Sequence, residues 1–446
     1  MDHLTIFDEL YPKFKITKPI RLIEFFAGYG SQALALKYLG VKFEHWKICE
    51  WAVKSIQAYK DIHFTDDNVD YSIVGPFGLE IEWIKNYLFR KGISSNYNEP
   101  MTRQQIDRLN EQQVKTIFNN IKTTHNLVNI QQVKGKDLEI VDKDRYDYIL
   151  TYSFPCQDLS LAGKGKGMSD TSTRSGMLWE VERILKELKE TDSLPQVLLM
   201  ENVPMVHSID NTPDFNKWQI ELTRLGYKNY WEDLIATDYG IPQTRNRCFM
   251  VSILGDYNYS FPKPIKLEKK LKDMLEDNVD EKYYISEDLM KHIQKTKEEH
   301  KEYTQYERYN GEFEQLARVW KEKSPTLHTK SNEIKIYVKN ATKKGYLEAT
   351  DGDGIDISSR MEHHRGTVQK GKTQTLTTMG GENNGVVSKD LRIRKLTPKE
   401  CFRLMGVKDE DFEKVKLNQS DSSLYHLAGD SIVVNVLMAI FKEMIN

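Results

Sequence analysis

Cys156 is where covalent chemistry could begin. It follows Pro155 in Ser153-Phe-Pro-Cys-Gln157, at the end of an apolar run, Tyr148-Ile-Leu-Thr-Tyr152, that reads as a buried strand. Proline fixes its own φ and has no N–H to donate, so the strand must stop there. A thiol at the carboxyl end of a strand, ahead of the glycine-rich 162–168, sits where open α/β sheets place ligands, and as a thiolate it is a nucleophile. Taken alone, a cysteine is more often a packing residue. Glu201 and Asn202 end a second apolar run, 195–204. A carboxyl there is costly to bury unless it is paired or protonated, and the plainer reading is a helix cap. Arg245 and Arg247 lie two apart at the start of the strand within 240–253. Equal facing would aim both guanidinium groups at one point, as recognition of an anion or a carbonyl requires.

These groups need a frame. Residues 19–30 read as an apolar strand and a glycine turn, followed by a helix over 31–39 that ends at Gly40. Strand, turn and helix open a doubly wound α/β fold, in which a cofactor meets the first turn. Gly28-x-Gly30 is weak evidence by itself, because many such turns need glycine for steric reasons. A second strand near 45–49 ends in Glu50-Trp51, about twenty residues further on, where an acid accepts ribose hydroxyls and an indole stacks on a purine. Together they point to a nucleoside cofactor.

Residues 66–126 break the rhythm. Ile106, Leu109, Val114, Ile117, Phe118 and Ile121 trace one helical face, so this region reads as an insertion of helices. The sheet is expected to resume at 127–130 and again at 146–152. A helix over 175–190 buries Met177, Leu178, Val181, Ile184, Leu185 and Leu188. After Gly255 the composition turns to Lys, Glu, Tyr and Asn, which marks a boundary. A faint repeat joins Ser324–Thr329 to Thr373–Thr378, and Asp351-Gly-Asp-Gly354 reads as a turn rather than a calcium loop. Thr397, Pro398 and Glu400 form a capping box at a helix start, and an apolar helix closes the chain after Gly429-Asp-Ser-Ile432.

The 446 residues allow one large core and an accessory domain. Lys+Arg 64 against Asp+Glu 66 leaves no global basic field, so any nucleic-acid surface must be local. Candidates are Lys164 with Lys166, Arg245 with Arg247, and Arg392-Ile-Arg394-Lys395. Four cysteines without a CxxC give neither a zinc site nor a disulfide framework. No signal-like segment opens the chain, and the apolar run at 432–441 is too short to span a bilayer. A cytoplasmic, reducing setting is expected.

Ordered stretches at 26–30, 50–51, 153–157, 201–203, 243–247 and 394–406, with a looser one at 429–432, resemble the DNA (cytosine-5) methyltransferases. The resemblance spans almost the whole chain in the family's order. It implies a Rossmann-like methyltransferase sheet in a catalytic domain over 1–255, a smaller target-recognition domain over 256–387, and a segment 388–446 that completes the first. It implies S-adenosylmethionine as methyl donor, S-adenosylhomocysteine as product and no metal. Phe26, Ala27, Gly28, Gly30, Glu50, Trp51, Asn129, Ile130, Pro155, Asp430 and Ser431 are the implied cofactor contacts. Cys156, Glu201, Arg245 and Arg247 are the implied catalytic residues, acting on a cytosine flipped from double-stranded DNA under a loop at 158–175. The implied assembly is a monomer, off the membrane, with any cognate restriction endonuclease acting separately. Glu24, Ser31, Asn129 and Asp430 depart from the family's usual Asp, Gly, Asp and Asn. RNA is the nearest rival substrate, and a fold retained for binding alone is the rival of another class. The large segment 256–387 favours DNA, and the intact Cys156, Glu201 and Arg247 favour catalysis.

Overall fold

The computed structural model describes residues 11–73, 78–155, 175–286, 335–358, 366–378, 383–390 and 392–445. Cys156, most of the 158–175 loop and the 324–329 repeat lie outside them. By internal contacts the chain forms two compact units, one of 1–241, 245–268 and 402–446, the other of 242–244 and 269–401.

The first unit is built on a six-stranded sheet of order β2-β1-β3-β4-β6-β5. Its strands are β1 (Ile20–Phe25), β2 (Phe43–Cys49), β3 (Asp147–Tyr152), β4 (Val197–Asn202), β5 (Tyr227–Ile235) and β6 (Asn246–Leu254). Strands β2, β1, β3 and β4 run parallel, and every residue of β1, β3 and β4 is buried, as expected of apolar strands covered on both faces. Strand β6 runs antiparallel to both β4 and β5. The chain leaves β1 to pair β2 on one side and β3 on the other, so the order reverses at the carboxyl end of β1, where such folds bind ligands.

Helix α1 (Ser31–Tyr38) follows the first turn, and α2 (Val53–His63) follows β2. The insertion supplies α3 (Ile81–Lys91), α4 (Arg103–Asp107) and α5 (Glu111–Thr123). The expected single face at 106–121 is split, because Thr102 caps α4 and Asn110 caps α5, each in a capping box with a glutamine. The apolar residues still converge: Ile84, Leu88, Ile106, Val114, Ile117, Phe118 and Ile121 share one core with Ile56 of α2. Helices α6 (Leu178–Glu190) and α7 (Thr212–Leu225) cover the main core of β1, β3 and β4.

The expected strand at 127–130 is absent. Ile48 and Asn126 form an isolated bridge, and 130–132 is a short 3-10 turn. Side-chain oxygens explain this: Asn126 Oδ1 accepts from Val128 N at 2.8 Å and Asn129 Oδ1 from Gln131 N at 3.0 Å, taking N–H groups a ladder would use.

The second unit carries β7 (Ile336–Lys339) paired with β8 (Tyr346–Ala349). A four-stranded antiparallel sheet orders β10 (Val368–Gln369), β9 (Gly354–Asp356), β11 (Asn384–Val387) and β12 (Ile393–Lys395). Asp351–Gly354 is a turn, its Asp353 carboxylate accepting from Thr350 N and Gly371 N. Arg394, a candidate for a basic surface, is instead buried: its Nη1 and Nη2 lie 2.8 and 2.7 Å from the two oxygens of Glu400. The predicted capping box is present, Thr397 N donating to Glu400 and Glu400 N to Thr397 Oγ1.

The capped helix is α8 (Pro398–Leu404), followed by α9 (Asp409–Lys416), α10 (Asp421–Gly429) and α11 (Val434–Ile445). The apolar C-terminal stretch is longer than the sequence run indicated. Asp421–Ile445 is long and apolar enough to cross a membrane, but it breaks into α10 and α11 and is mostly buried, with α11 packed on α1.

Removing one partner of a buried, doubly bonded ion pair costs about 3–5 kcal/mol. We therefore expect Glu400→Ala to lower stability by that order in urea unfolding, with Glu400→Gln losing less. An unchanged midpoint for Glu400→Ala would remove the pair from any structural role.

Candidate active site and cofactor cleft

Among the described residues, those predicted at 26–30, Glu50 and Glu201 lie at or just beyond the carboxyl ends of β1, β2 and β4, with Arg245 and Arg247 at the start of β6. Beyond β1 the backbone turns through Phe26 at φ 56° and Gly28 at φ 55°, and Phe26 N and Ala27 N donate to Cys49 O at the end of β2. A Cβ built on Gly28 meets nothing within 4 Å, so the turn faces open space there. Gly30, at φ 82°, is required for another reason: a Cβ would lie 2.4 Å from His63 Nε2 and 2.6 Å from the Tyr59 ring.

Glu50 closes this turn. Its Oε2 accepts from Gly28 N at 2.9 Å and its Oε1 from Ala52 N at 2.8 Å. Asn126 holds its backbone from the other side, with Oδ1 accepting from Glu50 N and Nδ2 donating to Glu50 O. Burial pushes the Glu50 carboxyl up to about 7, against those backbone N–H groups and with help from Asp430. Asp430 is the C-cap residue of α10. Its side chain reaches open space but is hemmed by protein elsewhere, and that desolvation raises its carboxyl to about 6 while Arg245 and Arg247 pull it down. Two acids and an open glycine turn are groups that could hold a nucleoside carrying a positive charge. Trp51 packs against the insertion's core, Ile130 is buried in the main core, and Asn129 spends its side-chain oxygen on the local turn.

The second cluster lies at the end of β4. Glu201 is 5% exposed; its Oε1 lies 3.0 Å from Arg247 Nε, and its Oε2 accepts from the Ser153 hydroxyl. Asn202 Nδ2 donates to Phe154 O at 2.9 Å, tying down the segment that leads to Pro155. The antiparallel register pairs Glu201 with Phe249 and Asn202 with Cys248, so the start of β6 meets the end of β4.

The two arginines do not share a target. Arg247 meets Glu201, whereas Arg245, 4% exposed, donates through Nη2 to Gly429 O at 3.1 Å and Ser431 O at 2.7 Å. Arg245 thus clamps the turn that carries Asp430. Tyr29 joins the same turn, its hydroxyl donating to Ser431 Oγ at 2.8 Å while its ring stacks on Phe402. Tyr29, Ser153 and Asn126 were not among the predicted residues. Ser153 and Tyr29 stand inside recognised motifs, whereas Asn126 carries no local signal.

Behind the turn, Glu24 is fully buried. It accepts from Tyr59 Oη at 2.5 Å and from Ala33 N at 3.3 Å, and burial raises its carboxyl to about 7 against those bonds.

Three comparisons bear on this arrangement. A family model described as C-5 cytosine-specific DNA methylase matches residues 90–446. The type II methyltransferase M2.ScrFI of Lactococcus lactis subsp. cremoris is 30% identical over 430 residues, covering 95% of this chain and 99% of its own. The orphan methyltransferase M.SssI of Spiroplasma monobiae is 32% identical over 439 residues, covering 96% and 97%. Among solved structures, a methyltransferase of Entamoeba histolytica, EhMeth, has a TM-score of 0.53 at 13% identity, covering 96% and 98%, which is a likeness of fold.

Glu24 gives a pH signature. Its folded pKa of about 7 lies above the ordinary 4.5, so its stabilising contribution is complete below about 4.5 and is lost as pH rises through about 7. At about 1.4 kcal/mol per unit this amounts to about 3 kcal/mol. Urea unfolding at pH 5 and pH 8 should show a decline that is smaller by that order in Glu24→Gln. An equal decline in both proteins contradicts the assignment.

Proposed function

The chain belongs to the C-5 cytosine-specific DNA methylases, and on that premise we propose that it methylates carbon 5 of a cytosine flipped out of double-stranded DNA, through a covalent Cys156 adduct. It is a DNA cytosine-5 methyltransferase. The observation that carries the finer reading is the Glu201–Arg247 pair, bonded to Ser153 three residues before Cys156.

Cytosine is a poor nucleophile at carbon 5. The Cys156 thiolate adds to carbon 6, and the ring's 5,6 electron pair becomes available at carbon 5. Glu201 shares a proton with ring nitrogen 3 and so stabilises the adduct, while Arg247 holds the carbonyl oxygen. S-adenosylmethionine, when bound, supplies an electrophilic methyl group on a positively charged sulfur. Glu50 would accept from its ribose, and the turn at 26–30 and the turn at 429–431, which Arg245 fixes through the carbonyls of Gly429 and Ser431, would hold it. Loss of the carbon 5 proton and expulsion of the Cys156 thiolate restore the aromatic ring. A stacked base offers no access to either face, so flipping precedes addition.

The unit at 269–401, near the expected 256–387, is the candidate for target recognition, its loops reading base edges while basic groups hold phosphates. The relatives' names support a restriction-modification or orphan role; a cognate endonuclease acting separately, a cytoplasmic setting, a monomer on DNA and no metal belong to the same proposal.

DNA carrying 5-fluorocytosine at the target should trap the protein as a stable adduct, because fluorine cannot leave as a cation. Denaturing gels with cofactor should show a shifted band that Cys156→Ala abolishes, while that variant still binds S-adenosylmethionine. A missing shift with active protein removes the carbon 6 adduct. Replacing 330–370 with a relative's segment should change the methylated sequence and keep activity. An unchanged site in an active chimera moves recognition elsewhere, with the 66–126 insertion next.

A further inference from the structure

The turn that follows β1 is gripped at more than one point. Glu50 takes Gly28 N at 2.9 Å, and the carbonyl oxygen of Tyr29 lies 3.0 Å from His63 Nε2. A carbonyl can only accept, so Nε2 carries the hydrogen and the imidazole donates. Burial, with His45 and Lys37 adding to it, pushes the imidazole well below its usual range against the pull of the Tyr29 and Gly30 carbonyls. The ring is therefore neutral, with its one hydrogen at Nε2.

Ala33 N is the donor that a helix begun one residue earlier would offer to Tyr29 O, and it meets Glu24 Oε1 at 3.3 Å instead. Among the described residues no backbone N–H reaches Tyr29 O. A Cβ on Gly30 would stand 2.4 Å from His63 Nε2, so the glycine makes room for the imidazole. Gly28 and Gly30, at φ 55° and 82°, flank Tyr29, and glycine reaches other conformations at little cost. The peptides between them need outside bonds to keep one orientation. Helix α2 joins two of those bonds, since Glu50 stands just before its first turn and His63 is its last residue. The Tyr59 ring, one turn earlier in α2, packs on the imidazole with centroids 4.5 Å apart.

We propose that His63 is a positioning residue for the cofactor: by donating to Tyr29 O it holds the 28–30 backbone in the shape that receives S-adenosylmethionine before the ligand arrives. It acts through the turn and not through contact with the ligand. This rests on the reading of Glu50 and the 26–30 turn as the cofactor's seat. A turn released to sample other conformations must be ordered on binding, which lowers affinity and leaves the methyl-transfer step of the bound complex alone.

Calorimetric binding of S-adenosylhomocysteine, with steady-state kinetics beside it, tests this. His63→Phe keeps an aromatic ring against Tyr59 and loses the donor. It should weaken S-adenosylhomocysteine about three- to tenfold, the value of one hydrogen bond, and raise KM for S-adenosylmethionine by a similar factor with kcat unchanged. His63→Gln, whose amide nitrogen reaches as far as Nε2, should recover most of the loss. His63→Asn, whose shorter amide does not, should behave like His63→Phe. Parent affinity in His63→Phe overturns the proposal, as does a fall in kcat without a change in KM, the mark of a packing role alone. Equal affinity in His63→Gln and His63→Asn overturns it too, and that pair decides where His63→Phe does not fold. Glu50→Ala separates the two levels: parent affinity there overturns the reading of the seat and the His63 assignment with it. A drop for Glu50→Ala with none for His63→Phe overturns His63 alone.

Discussion

A carboxylate buried at the end of a strand sets the terms for the rest of this molecule. Glu201 keeps 6% of its side chain exposed and Arg247 16%, and removing such charges from water costs several kcal/mol each. The cost is offset because β6 runs antiparallel to β4, which puts Arg247 Nε 3.0 Å from the carboxylate and leaves Ser153 to satisfy the second oxygen. A parallel β6 would start at the other end of the sheet and leave Glu201 alone. Glu201, Arg247 and Ser153 therefore satisfy one another at this edge of the sheet.

The same edge carries a second electrostatic problem. Glu50 at about 7 and Asp430 at about 6 each hold a proton more tightly than a free acid, in part because each feels other acids nearby. Arg245 fixes the backbone on either side of Asp430 through the carbonyls of Gly429 and Ser431.

Local signals were legible in the sequence and non-local ones were not. The capping box at Thr397 and Glu400 forms as read, because three residues determine it. The strands ending at Phe25, Cys49, Tyr152 and Asn202 follow from short apolar runs. The stretch 127–130 was misread because Asn126 and Asn129 divert backbone N–H groups, an effect that apolar content cannot report. Spacing placed Arg245 and Arg247 on one side but not on separate partners, because Gly429 and Ser431 are almost two hundred residues away in sequence. Arg394 looked like a surface cation and is a buried one, since Glu400 serves both the cap and the ion pair. Tyr97 had no signal for its stacking partner, His426, which lies more than three hundred residues away in sequence. Cys156 was the clearest motif in the sequence, and it lies outside the described residues.

Why a whole unit can be inserted between residues 268 and 402 follows from how the first unit closes. Tyr29 meets Ser431 and Arg245 meets the carbonyls of Gly429 and Ser431, so the turn beyond β1 and the start of β6 are tied to the last segment of the chain. Closing a loop costs entropy that rises only with the logarithm of its length, about 0.6 kcal/mol per doubling. A folded insert shortens the effective loop further, because only its two ends must meet. The contacts at Ser431 are buried hydrogen bonds, each worth about 1 kcal/mol, and Tyr29 adds its stack on Phe402. They outweigh any such increment. The length and sequence of 269–401 can therefore vary without disturbing the cleft, provided its ends return to the edge where Arg245 and Phe402 enter the first unit.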